Sequence, residues 1–203
     1  MSDSQNSEAI SSYHFQAICE YCILPLGTQH VRDSIDDSCK LRSILLYGTP
    51  GCGKTEIAQV IATELGALLI NLSPSRIPQE FLANKTASTK LIHMAFSIAK
   101  DPMFSPCIIY LDECEQHFQS VKKKSKQESN SASRFQKDLL IYKNQFLTKD
   151  DRVLIIGCTS FPSTADMKVL KWKGPKGKPD KQGTYSAKTI FYERLLSIKL
   201  TFV

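Results

Sequence analysis

Several features that would classify this chain at once are missing from it. No stretch of its 203 residues is apolar for long enough to form a membrane-crossing helix, which takes about 20 residues. The start lacks the charged and apolar regions of a secretory signal. Met1 to Ser12, polar and rich in serine, is therefore expected to be a disordered lead and the protein to be cytoplasmic. Cys19-Glu20-Tyr21-Cys22 has C-x-x-C spacing, but no second cysteine pair or histidine pair completes a zinc site. It reads as a core-facing pair on a helix. The seven cysteines are odd in number and fall in apparent core elements, which suits reduced thiols rather than a disulfide framework. No internal repeat is evident.

The formal charge of +6 is unevenly spread. Ten lysines, from Lys122 to Lys126 and from Lys168 to Lys181, are opposed nearby by Glu128 and Asp180 alone, so the rest of the chain is slightly acidic. The excess belongs to two insertions, near 120–134 and 168–188, and solvated loops explain it better than a nucleic-acid-binding face. An acidic protein tail or RNA is the alternative partner for such runs. Neither nucleic acid nor a membrane is expected as the main one.

What the chain does have is Gly48-Thr49-Pro50-Gly51-Cys52-Gly53-Lys54-Thr55, which fits G-x-x-x-x-G-K-[ST] and follows the apolar run Ser43-Ile44-Leu45-Leu46-Tyr47. A phosphate chain carries too much charge for one side chain. A loop of this kind turns backbone N–H groups inward, and the helix behind it adds its positive end. Gly48, Gly51 and Gly53 permit that backbone, Lys54 can reach the β- and γ-phosphates, and Thr55 can offer its hydroxyl to Mg²⁺. Ile57, Ala58, Ile61, Ala62 and Leu65 follow at helical spacing, with Gly66 placed as a stop. A glycine-rich turn that binds nothing would not explain Lys-Thr at those two positions. Contacts to nucleotide are expected from Gly48, Thr49, Pro50, Gly51, Cys52, Gly53, Lys54, Thr55 and Glu56.

Cys107-Ile108-Ile109-Tyr110-Leu111 reads as a strand that runs straight into Asp112-Glu113. Asp112 would hold the metal shell at the strand's carboxyl end, and Glu113 would orient or deprotonate the attacking water. Strands often end in a carboxylate that only caps the next helix, so this signal gains its weight from the upstream loop. Ala67 to Asn71 is expected to be a buried strand, Arg152 to Gly157 a fourth strand and Arg194 to Leu200 a fifth. A helix is expected from Tyr13 to Ile23, ended by Pro25. Others are centred on Leu91 to Ile98 and on Phe135 to Phe146. This alternation predicts a doubly wound, mainly parallel sheet that binds its ligand at the strand carboxyl ends.

A GTPase is a competing reading, because Thr148-Lys149-Asp150-Asp151 has the form T-K-x-D. That stretch precedes a strand instead of following one, and Glu115 occupies the place of the glycine in D-x-x-G. A solvated turn is the simpler account. A phosphotransfer kinase would share the loop, but no acceptor site is recognisable.

The segments Arg42 to Thr55, Ile108 to Glu113 and Ile156 to Pro162, in that order and spacing, resemble the AAA+ ATPases. Leu24-Pro25-Leu26-Gly27, Ile70-Asn71-Leu72-Ser73 and Asp150 to Gly157 are similar to the IQ motif and AAA domain-containing proteins, which include a subunit of the axonemal nexin–dynein regulatory complex. The resemblance implies a three-layer α/β/α P-loop NTPase core over residues 13–203, with a mainly parallel five-stranded sheet in the order 5-1-4-3-2. It implies ATP and Mg²⁺ as ligands, with Lys54 and Thr55 as the Walker A pair and Asp112 and Glu113 as the Walker B pair. Ser160 stands where the sensor-1 asparagine usually is, and Ala83 replaces the glycine of the threading element in Phe81-Leu82-Ala83. Threading is therefore not expected. The arginine-finger region holds the second insertion, leaving Arg194 as the one candidate. The helical lid is missing, so the chain is either a fragment or a reduced member. Hydrolysis by an isolated monomer is expected to be slow, with the finger supplied by a neighbour in a homo- or hetero-oligomer. The alternative is a nucleotide-binding but hydrolysis-poor structural module of a ciliary or flagellar axoneme.

Overall fold

The computed structural model describes residues 15–35, 40–78, 81, 85–117, 135–148, 150–160 and, as backbone, 197–200. The expected lead and both lysine-rich insertions lie outside these residues, as do Leu82, Ala83 and Arg194.

Five strands form one parallel sheet: β1 (Ser43–Gly48), β2 (Leu68–Asn71), β3 (Cys107–Leu111), β4 (Val153–Thr159) and β5 (Ser197–Leu200). Their spatial order is β2-β3-β4-β1-β5, the arrangement expected from the sequence. All four pairings are parallel. The crossovers carry α3 (Lys54–Leu65) between β1 and β2 and α4 (Lys85–Lys100) between β2 and β3. Before β1, α1 (Leu24–Gly27) and α2 (Gln29–Ser34) close the N-terminal side.

Because side chains alternate across a strand, the three central strands supply two separate cores. Leu45, Ile109, Leu111, Val153 and Ile155 face α4 and the segment 135–147. Ile44, Leu46, Ile108, Tyr110, Leu154, Ile156 and Cys158 face α3 and the N-terminal helical segment. Strands covered on both faces read as near-continuous apolar runs, which is why β1, β3 and β4 were legible. The second core also pushes the Cys158 and Cys22 thiols up to about 12 by burial, and the first does the same to Cys107.

Three expectations need correction. β2 is an edge strand whose residues are exposed or half-buried, not a buried one. It has a neighbour on one side only. β4 continues two residues beyond Gly157, through Cys158 to Thr159, because both are buried and Tyr47 of β1 pairs with Thr159. Pro25 does not end the N-terminal helix. The chain widens into a π-helical turn over Cys19–Ile23, where the N–H of Leu24 donates to the carbonyl of Cys19, and continues as α1 with Pro25 in its first turn. The wider turn relieves the clash a proline ring otherwise makes with the preceding turn. Of the C-x-x-C pair only Cys22 is fully buried, while Cys19 is half-buried.

Cations tie both the N-terminal segment and the segment 135–147 to the sheet. Arg152, just before β4, donates from Nε to the Leu26 carbonyl and from Nη2 to the Gly27 carbonyl, each at 2.7 Å. Lys143, fully buried, donates to Ser43 Oγ at 2.8 Å at the start of β1. A buried ammonium is costly unless it is hydrogen-bonded.

Candidate functional site

The parallel register decides what meets at the sheet's carboxyl edge. β1 ends at Gly48, Asp112 follows β3 directly, and Leu111 of β3 pairs with Gly157 of β4. The phosphate-loop candidate, the acidic pair and Ser160 therefore share one edge.

Between β1 and α3 the backbone takes positive φ at Gly51 (82°) and Gly53 (77°), a conformation that costs L side chains but not glycine. Gly53 is the N-cap of α3 and brings no side chain to its first-turn N–H groups, which suits an end that receives an anion. Thr49, Pro50 and Gly51 are exposed at the rim, and Cys52 is buried beneath them. Lys54 is 7% exposed, and its ammonium donates to the Gly48 carbonyl at 3.1 Å and the Thr49 carbonyl at 2.8 Å, with Cys52 Sγ at 3.5 Å. It is held across the loop it would serve. Glu56 is exposed in the first turn of α3.

Thr55 Oγ1 donates to Asp112 Oδ2 at 3.2 Å. This single contact joins the two halves of the motif, 57 residues apart in sequence. A hydroxyl and a carboxylate side by side form a hard-oxygen pair suited to Mg²⁺, which usually takes one or two protein ligands and completes its shell with phosphate and water. No cluster of three or more His, Cys, Asp or Glu fit to hold a metal by itself occurs among the described residues. The donor set thus fits a magnesium ion carried with a triphosphate.

Glu113 is exposed and stands at φ 45°, the one non-glycine positive φ among the described residues. Its N–H donates to Asp112 Oδ1 at 2.9 Å, and its Oε2 accepts from Gln116 Nε2 at 2.7 Å. A left-handed non-glycine residue costs energy and persists only where its surroundings enforce it. Ser160 follows β4 at the same edge, half-buried. Among the described residues no hydrogen bond joins it to Lys54 or the acidic pair.

Sequence reasoning missed the second layer. Ser73 Oγ donates to Asn71 Oδ1 and accepts the Asp112 N–H at 2.8 Å, so the loop after β2 fixes the acid's backbone. Gln116 was not singled out either. Nothing in residue type marks the role of Ser73, which depends on which loop lies beside β3, whereas Gln116 stands only three residues after Glu113 and spacing alone could have suggested that contact. Lys149 of the Thr148 to Asp151 stretch lies outside the described residues, and the Thr148 N–H donates to Asp151 Oδ2 at 2.7 Å.

Residues 44–173, more than half of the chain, match the profile of the ATPase family associated with various cellular activities (AAA). The chain belongs to this family. Members of the AAA family are typically ATPases that bind ATP with Mg²⁺, and they commonly oligomerise. The chain is 33% identical over 130 residues to vacuolar protein sorting-associated protein 4 of Dictyostelium discoideum, which covers 64% of this chain and 28% of that one. It is 33% identical over 152 residues to dynein regulatory complex protein 11 of Mus musculus, covering 75% of this chain and 17% of that one. The crystal structure of the FIGL-1 AAA domain in complex with ADP superposes with a TM-score of 0.60 at 25% identity, covering 77% of this chain and 48% of that one. The chain therefore spans less than a third of either relative. Among the described residues no helix is long and apolar enough to cross a membrane.

Proposed function

We propose that this AAA domain binds Mg·ATP between the phosphate loop and Asp112 and hydrolyses it, coupling nucleotide state to assembly or to contact with a protein partner. The observation that carries the reading is the 3.2 Å contact between Thr55 and Asp112. In this reading the loop from Gly48 to Glu56 holds the phosphates, Lys54 neutralises them, and Thr55 and Asp112 hold the metal. Bound magnesium would supply charge neutralisation at the phosphate oxygens. Glu113 holds or accepts a proton from the attacking water, Gln116 fixes the carboxylate's direction, and Ser160 offers one hydroxyl where the sensor would act. Partners are a second copy or a related subunit. The site is in the cytoplasm, with the axoneme favoured by the likeness to a dynein regulatory complex protein.

Two comparisons test it. Lys54→Ala should weaken ATP binding at least about tenfold, because charge-assisted contacts are worth about 1.5 to 3 kcal/mol each. Single-turnover hydrolysis should fall in Glu113→Gln. Equal rates in wild type and Glu113→Gln would remove Glu113 from catalysis, and mass measurements with and without Mg·ATP would show whether assembly responds.

The 2.7 Å hydrogen bond from Gln116 to Glu113 also favours a second reading, in which the carboxylate is held away from water and the domain is a nucleotide-binding structural module. Gln116→Ala separates them: it lowers turnover if Gln116 orients the base and raises it if Gln116 restrains the base.

A further inference from the structure

Beside the Thr55 and Asp112 pair lies a cleft of about 220 Å³, whose walls also include Asn71, Ser73, Tyr110 and Arg76. Arg76 is the only cation among the described residues that line it. Its guanidinium is exposed and takes no hydrogen bond or ion pair among the described residues, although a carboxylate shares the cleft. The backbone that carries it is firmly placed. The Arg76 and Ile77 N–H groups both donate to the Ser73 carbonyl, at 2.9 and 3.2 Å, Ile77 is buried in the core, and Ser73 is itself bonded to Asp112. The lining also holds an unsatisfied group: the Tyr110 hydroxyl is buried close to Thr55 and Cys158 without a hydrogen bond of good geometry. The cleft thus joins the metal pair to a planar cation that has no partner among the described residues and whose backbone is bonded to Ser73.

We propose that Arg76 is a phosphate-facing cation supplied by the same subunit, which stabilises the charge on the transferring phosphoryl group. The inference rests on the ATPase reading above. In that step a water oxygen bonds to the γ-phosphorus as the bond to the bridging oxygen breaks, the electron pair leaves on ADP, and a water proton passes to Glu113. Charge spreads over the equatorial oxygens, and a guanidinium fork is suited to meet two of them.

The test compares wild type with Arg76→Ala and Arg76→Lys by affinity for Mg·ADP, affinity for Mg·ADP with aluminium fluoride, and kcat. Arg76→Ala should leave ADP affinity within about twofold while weakening the fluoride complex and lowering kcat by about 10²-fold to 10³-fold, the usual effect of losing one transition-state donor. Arg76→Lys should recover part of the loss. Mixing Arg76→Ala with Glu113→Gln should restore nothing, because both groups act within one subunit. The proposal is overturned if the fluoride complex is unchanged, if ADP and fluoride affinities fall together, or if mixing restores turnover. Failure of the ATPase reading is seen separately, as a wild type no faster than Glu113→Gln.

Discussion

Ser73→Ala is the substitution that asks most of the site. The serine is 1% exposed, and its hydroxyl both donates to Asn71 Oδ1 and accepts the Asp112 N–H at 2.8 Å. Asn71 Oδ1 keeps the Ser73 N–H at 2.9 Å after the change, so the lasting loss is the partner of the Asp112 N–H. The Asp112 N–H is part-buried, and leaving it unpaired costs up to the figure for a fully buried donor, about 1 to 3 kcal/mol. At about 2 to 4 °C per kcal/mol for a domain of this size, Tm should fall by about 2 to 12 °C. The functional effect should be specific to metal. Asp112 would lose the contact that sets its backbone beside Thr55, so the Mg²⁺ concentration needed for half-maximal nucleotide binding should rise several-fold. Binding without Mg²⁺, which depends on the loop, should change little. Scanning calorimetry and a nucleotide-binding titration at several Mg²⁺ concentrations read the two effects. Ser75→Ala, an exposed position on the same loop, serves as control and should stay within about 0.5 kcal/mol. If Ser73→Ala matches that control in both Tm and Mg²⁺ dependence, the claim that this loop positions the acid is wrong.

Other outcomes follow from the packing. Arg152→Ala removes two 2.7 Å donations to the Leu26 and Gly27 carbonyls and should cost about 1.5 to 3 kcal/mol. Amide exchange should rise across residues 24–34 and stay unchanged in β3. Gly66, at φ 59° with nothing crowding its missing Cβ, closes α3, and Gly66→Ala should destabilise by about 1 kcal/mol from backbone strain alone. Gly66→Asn should cost less, and equal urea midpoints for the two variants would contradict a strain origin. The buried thiols of Cys22, Cys107 and Cys158, raised to about 12 from an ordinary 9.0, bind protons in the folded chain where the unfolded chain has lost them. Stability is therefore intact below about pH 9 and falls as pH rises toward 12, by about 1.4 kcal/mol per pH unit for each thiol. A urea midpoint that stays flat from pH 8.5 to 10.5 under reducing conditions would refute that burial.

The glycine-rich turn was legible where chemistry constrains residue type locally. A loop that must wrap phosphate needs glycine at positive φ, and Gly51 and Gly53 have it. The buried strands β1, β3 and β4 were legible because a strand covered on both faces has to be apolar throughout. The edge position of β2 was not, since its composition resembles theirs and only the neighbour it lacks distinguishes it. Pro25 misled for a related reason. Its effect depends on the width of the preceding turn, which residue type does not specify.

By itself, then, the sequence carried the glycine-rich stretch from Gly48 to Thr55 and the acid pair after a buried apolar strand, each written in contiguous residues, and the order of the sheet only through family likeness. Only the tertiary structure decided that Thr55 meets Asp112, that Ser73 holds the Asp112 N–H, and that Arg76 shares their cleft. Those relations join segments from three different crossings of the sheet. They arise from parallel register and loop packing, and a linear pattern carries no measure of the distance between one strand end and the next.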